Sequence, residues 1–317
     1  MLSRRHIRIK VMQALYAYSL DSDPDIIKGE NELMRSIQRL HELYIYQLSF
    51  LIEIFEFARY RLEEAKQKYL PTEEDLHPNT RFVDNMIIRQ LTGNLDYCRS
   101  SDRLKISWKE QEELVRRLFQ SIRTADLYKN YMTSPDNTYE DDREFVLDLF
   151  KQHIQGDEAM ISFYEEKYMH WANDYNVAYY YIEKTIRALQ ENSDKSEPLP
   201  GMPPVAEEED REFSVALFKQ TIRHSDEYEH LIAEHTLNWD TERIAMLDML
   251  LLKMAVTEIM EFPFIPVKVS FNEYIEISKE YSTPKSKVFI NGILDKLINE
   301  LTQDNRIKKS GRGLMDR

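Results

Sequence analysis

From Ile26 to Tyr69 the chain contains no proline, and its large apolar residues return every three or four positions: Leu33, Ile37, Leu40, Tyr44, Leu48, Leu51, Ile52 and Phe55. That is the period of an α-helix and not of a strand. Pro71 stops the pattern because its ring removes a backbone donor and clashes with the preceding turn. A helix this long must be covered along its apolar stripe, so other helices have to pack against it. Only 7 of the 317 residues are glycine, too few for the tight turns of a sheet protein. The expected fold class is therefore all-α.

Further helices are predicted at about 79–99 and 108–128, and then at about 212–237, 241–261, 267–281 and 285–301. Phe262-Pro263-Phe264-Ile265-Pro266 forms the break between the middle two of the last four. The segment Arg143–Ile154, REFVLDLFKQHI, returns as Arg211–Ile222, REFSVALFKQTI, identical at eight of twelve positions with an offset of 68. Trp171 and Trp239 follow at the same offset. Self-similarity in phase with a downstream tryptophan suggests a duplicated helical unit, although convergent helix patterning would look alike over so short a stretch. Between the copies, residues 191–210 hold four prolines and an acidic end, which predicts a mobile linker. Residues 303–317 are basic and contain Gly311 and Gly313, a composition expected of a disordered tail that gives weak electrostatic help to an RNA site.

The opening stretch, Leu2 to Leu20, carries Arg4, Arg5, Arg8 and Lys10 and no acid, inside a chain of net charge -14. Ile7, Val11, Ala14, Leu15 and Tyr18 lie on one helical face, with Ser3 placed to cap it. Cations at a helix start oppose the macrodipole, at a cost of about 0.3–1 kcal/mol each. An anion would remove that cost, and exposed N–H groups beside arginines suit phosphate. The alternative is a solvated basic end. Because the chain as a whole is acidic, any nucleic-acid site must be local.

Other functions find little support. The single Cys98 excludes an internal disulfide and a cysteine zinc site. His224, His230 and His235 are spaced by 6 and 5, which does not bring them to one helix face, so no metal and no cofactor are expected. Neither a nucleophile with its base nor a glycine-rich phosphate loop is evident, and no enzyme is expected. No apolar run reaches the ~20 residues of a membrane span, and Met1 leads straight into the charged helix rather than a signal peptide; the expected setting is cytoplasmic. Phe289 reads either as a base-stacking platform or as core, and Asn291 either as a base-edge contact or as a helix-end partner. Gly292 inside a helix costs about 1 kcal/mol, which suggests close approach of a neighbour. Asn272 and Glu273 read as first-turn residues that suit the helix dipole.

The two ends of the chain resemble the NusB family of bacterial transcription antitermination factors. The likeness is carried by Arg4, Arg5 and Arg8 followed by Gln13-Ala14-Leu15-Tyr16. Three later runs carry it too: Leu252 to Ile259, Ile265 to Glu273 and Lys287-Val288-Phe289-Ile290-Asn291-Gly292-Ile293-Leu294-Asp295. It covers residues 1–20 and 211–302. The resemblance implies a helical bundle with no catalytic activity that binds the boxA element of ribosomal RNA leaders together with the ribosomal protein NusE, so that transcribing RNA polymerase resists termination. It further implies RNA contacts by Arg4, Arg5, Arg8 and, in the C-terminal motif, Phe289 and Asp295, beside which Lys10 and Asn291 are candidates. Tyr16 and Asp248 take positions that meet NusE in the family. Two departures are His6 within the arginine run and aspartate, in place of the commoner glutamate, at 248.

On this reading residues 1–20 are the first helix of the family bundle, 21–190 a partly duplicated helical insertion, 191–210 a linker, 211–302 the C-terminal bundle and 303–317 a tail. The insertion must bury its apolar stripes by packing on the core or by meeting another protein. The competing function is a helical protein-interaction scaffold without specific RNA binding. A NusB-like domain of an RNA cytosine methyltransferase is disfavoured, since no glycine-rich cofactor loop is present.

Overall fold

A computed structural model describes residues 4–135, 138–171, 174–200, 208–236 and 244–315. Among them there is no strand. The helices are α1 (Arg4–Leu20), α2 (Ile26–Lys66), α3 (Glu73–Leu76), α4 (Met86–Gly93), α5 (Leu95–Leu104), α6 (Glu112–Thr124), α7 (Asp126–Thr133) and α8 (Tyr139–Leu149). A π-helical turn, Phe150–Ile154, extends α8. There follow α9 (Glu158–Lys167), α10 (Tyr175–Ala188), α11 (Glu208–Arg223), α12 (Ser225–Glu234), α13 (Met246–Glu261), α14 (Val267–Tyr281) and α15 (Ser286–Gln303). The chain divides into two compact units, one of Met1–Ile37 with Ala206–Arg317 and one of Gln38–Val205.

In the first unit α1 packs on α11, α13 and α14. Its Ile7, Val11 and Leu15 are buried, as the helical stripe requires, and so are Ile9 and Met12 on the flanks. A helix apolar on every side belongs inside a bundle. The clearest case is α13, where each described residue from Met254 to Ile259 is buried. Pro266 ends the connection after α13 with φ −59°, and α14 starts at the next residue, as a ring-locked φ favours.

The second unit is built around the remainder of α2. Leu40, Leu43, Tyr44, Ile45, Leu48, Phe50, Leu51, Ile54 and Phe55 are all buried, so this stretch is covered on every face. Trp108 donates its indole N–H to Ser49 Oγ at 3.0 Å and Trp171 donates to the Arg39 carbonyl at 2.9 Å. Phe55 stacks on Phe82 at 4.1 Å. The apolar stripes of this stretch are thus buried within the unit itself.

Several expectations change. The helix expected at 79–99 is two, because Asn85 and Asn94 turn their side chains onto the backbone N–H groups of Ile88 and of Asp96 and Tyr97. Asparagine competes well for such capping positions. The helix expected at 108–128 breaks at Ala125, and that at 212–237 breaks at His224. Ser3 and Trp239 lie outside the described residues. The first half of the expected linker is fastened: Leu95 N–H donates to Lys195 O at 2.9 Å, Asn94 Nδ2 donates to Glu197 O at 2.9 Å, and Leu199 is buried. The tail is docked as well. Ser310 N–H donates to Pro263 O at 3.0 Å and Lys309 Nζ to Phe262 O at 2.9 Å. Gly313 lies so close that a Cβ there would fall 2.0 Å from Pro263 O. Gly292, by contrast, has nothing among the described residues within 4 Å of the position of a Cβ, so none of them makes the close approach that its glycine suggested.

Candidate nucleic-acid interface

The basic start of α1 is organised by acids that no local spacing announces. Arg8 is only 2% exposed, and its guanidinium forms a two-pronged pair with Glu258, itself fully buried, at 2.8 and 2.6 Å. Ser270 Oγ and Tyr274 OH, one turn apart on α14, donate to the same carboxylate at 2.7 and 3.1 Å. Such a pair is stable only when the remaining lone pairs are satisfied, as they are here. Burial alone would lower the basicity of Arg8, but the hydrogen bond and charge of Glu258 outweigh it and hold the group above its ordinary value. Burial, with the Glu258 charge behind it, pushes the Tyr274 hydroxyl well up. Lys10 is buried too. Burial, helped by the charge of Lys10, brings His6 down to about 3.

Arg4 and Arg5 lie further out. Arg5 makes a two-pronged pair with Glu273, both distances 2.9 Å, and that hydrogen bond raises its pKa. Arg4 reaches Glu209 at 2.7 Å and lies 3.7 Å from Asp210, while its guanidinium stacks over the Phe213 ring at 4.5 Å. Glu273, expected to serve the helix dipole, is therefore an ion-pair partner of α1.

These arginines border an open cleft of about 1160 Å³, which is also lined by Phe262, Pro263, Phe264, Ile265 and Pro266 and by Arg312 of the tail. Of the four basic residues proposed from sequence, Arg4 and Arg5 reach solvent there. Arg8 is part of the wall, and Lys10 is not on the cleft. The start of α1 is thus neither a simple solvated end nor a bare phosphate site, because each of its arginines already holds a carboxylate.

The remaining candidates fall on other surfaces. On α15 Asn291 and Asp295 are exposed and Phe289 is half-buried, and none of the three lines the cleft. Tyr16 is 39% exposed. Asp248 is buried at the start of α13 and accepts a hydrogen bond from Ser282 Oγ at 2.5 Å. Sequence reasoning missed Glu258, Phe213 and Phe264, and it reached Arg312 only as one of the basic residues of the tail. Only Glu258 gave a signal, as a lone acid in the otherwise apolar run from Val256 to Met260 interrupted by one threonine. Among the described residues no group of three or more His, Cys, Asp or Glu could hold a metal ion, and no helix is long and apolar enough to cross a membrane.

The family description "NusB family" matches residues 181–299. A transcription antitermination protein NusB of Salinibacter ruber is 39% identical over 138 residues, which is 42% of this chain and 86% of that protein. The chain belongs to the NusB family. Proteins of the same name from Chloroherpeton thalassium and Koribacter versatilis are 40% identical over 112 and 102 residues. The first alignment takes in 35% of this chain and 53% of its relative, the second 32% and 70%. No solved structure matches the chain. Membership brings the coarse function, transcription antitermination by a factor that is not an enzyme, and agrees with the all-α architecture. The NusB match begins at 181, within α10 and upstream of the Arg211 boundary read from the sequence, and leaves α1 to α9 outside it.

Proposed function

We propose that this protein binds the boxA element of ribosomal RNA leader transcripts together with the ribosomal protein NusE, in the cytoplasm, and so helps the transcribing RNA polymerase complex to pass terminators. The observation that carries the reading is the pair Arg4 and Arg5, held at the mouth of a cleft by the first turn of α1. A phosphate can replace Glu209 or Glu273 as partner of either guanidinium without disturbing the helix, because both pairs are near solvent and such pairs contribute little to stability. Arg8 and Lys10 act by shaping α1 rather than by touching RNA. Phe289, Asn291 and Asp295 provide a second contact face on α15. Tyr16 meets NusE directly, and Asp248 supports that surface by fixing Ser282. We further assign residues 1–20 and 211–302 to the family bundle and 21–190 to an insertion.

The test is the affinity for a boxA-type RNA against a scrambled RNA at two salt concentrations, with and without NusE, beside the variant Arg4→Ala/Arg5→Ala. Preference for boxA that the variant loses supports the proposal. One observation favours the scaffold reading: Arg4, Arg5 and Arg8 are all paired with acids, so the cleft carries little excess positive charge. Equal binding of both RNAs, with or without NusE, would establish that reading instead.

A further inference from the structure

Among the cleft arginines Arg312 stands apart. Arg4, Arg5 and Arg8 each hold an acid, whereas exposed Arg312 forms no ion pair with any described residue. It is carried on the single 3-10 turn Gly311–Leu314, beyond residue 299, where the family match ends. The position of that turn is fixed from both sides. Ser310 N–H donates to Pro263 O, and the missing Cβ of Gly313 lets the backbone sit against the same carbonyl. The docked turn also backs one ring. A Cβ built on Gly311 would lie 3.4 Å from Phe264 Cδ1, yet Phe264 remains 68% exposed.

The other two aromatic residues of the cleft are already occupied. Phe213 carries the Arg4 guanidinium on its face and meets Phe262 edge-on at 5.4 Å. Phe264 has no ring partner among the described residues and lines the same cleft as Arg5 and Arg312. An exposed aromatic face backed by a fixed turn, beside an unpaired guanidinium, is the combination that unstacked nucleotides require: a flat surface for the base and a cation for its phosphate. The cleft volume of about 1160 Å³ exceeds that of ordinary small-ligand pockets, ~300–1,000 Å³.

Resting on the RNA-binding reading above, we infer that the tail turn and the Phe262–Pro266 connection form an additional subsite for one unpaired nucleotide of a single-stranded RNA, with its base on Phe264 and its phosphate on Arg312. The subsite extends the RNA path from Arg5 across the cleft. Gly313 is its positioning residue, since any side chain there would lift the turn from Pro263.

The test uses the full chain and a fluorescently labelled boxA-type single-stranded RNA in titrations at several salt concentrations. Phe264→Leu keeps apolar bulk but removes the ring face, and is expected to weaken binding about 5- to 150-fold, the worth of one stacked base. Phe264→Trp restores it. Arg312→Gln is expected to lower the salt slope by about 0.7, the share of one single-strand phosphate, and Gly313→Ala to reproduce the Arg312 loss with the thermal melt of the bundle unchanged. If Phe264→Leu and Arg312→Gln bind as the parent does while Arg4→Ala/Arg5→Ala does not, the subsite is refuted and the RNA reading stands, which would leave the Phe264 wall to a protein partner. If the parent itself binds no single-stranded RNA, both readings fail together.

Discussion

The two copies of the repeated helix give the same residues different tasks. In α8 and in α11 the aspartate that precedes the shared Arg-Glu-Phe, Asp142 and Asp210, is 1% exposed, and Phe145 and Phe213, Leu149 and Leu217, Phe150 and Phe218 are buried in matching order. Asp142 receives neutral donors: Tyr131 OH at 2.6 Å and the backbone N–H of Met86, at the start of α4, at 2.6 Å. Asp210 lies 3.7 Å from the Arg4 guanidinium at the start of α1. Phe145 stacks beneath Tyr131 at 5.9 Å from Phe82 in a closed aromatic cluster, whereas Phe213 carries Arg4 at a cleft wall. One helix sequence therefore builds a sealed junction in one unit and the border of an open, arginine-lined cleft in the other. The repeated helix does not decide which. The residues brought to its acidic end do, Asn85-Met86 in one case and Arg4 in the other.

This contrast can be broken from either side. The largest effect is expected from Arg8→Ala, which strands Glu258 without its main partner in the core and should cost about 3–5 kcal/mol. Urea unfolding would read it, and amide exchange should show the loss confined to α1, α13 and α14, with α4 and α8 unchanged. Tyr131→Phe tests the sealed copy. It removes one donor from buried Asp142, costs about 1–3 kcal/mol, and leaves RNA affinity at the parent value by titration.

A smaller effect concerns pH. The unfolded chain protonates His6 near its ordinary 6.5, while burial holds the folded group down to about 3. The unfolded state therefore binds the extra proton over this window, and stability present above about 6.5 is lost as pH falls toward 3. Between pH 7 and 5, before most carboxylates titrate, His6→Gln should melt with a shallower pH dependence than the parent. A parallel slope for both proteins would remove His6 from the account.

Much of the fold was legible in local pattern. The long helix closes at Lys66, before Pro71, and α14 occupies the expected 267–281. Such features depend on residues three or four apart and on proline, which act locally. The breaks at Asn94, Ala125 and His224 were hidden because each interrupts a stretch whose apolar period continues beyond it. The site was legible only in outline. Arg4, Arg5 and Arg8 stood out as a charge cluster, but the separation of buried Arg8 from the two outer arginines depends on Glu258 and Glu273, some 250 residues away along the chain. The glycines of the tail suggested looseness, yet Gly313 serves close packing, a distinction set by the Pro263 carbonyl rather than by composition.

If the two copies differ in this way, RNA recognition belongs to the α1–α11 copy and not to its counterpart. The most direct measurement compares boxA-type RNA affinity and its salt slope for Arg4→Ala/Arg5→Ala and for Arg89→Ala/Arg143→Ala, which removes two arginines around α4 and α8. The first variant is expected to lose affinity and about 1.4 of slope, two single-strand phosphates, while the second titrates like the parent. The reverse result, or equal losses in both, would contradict it.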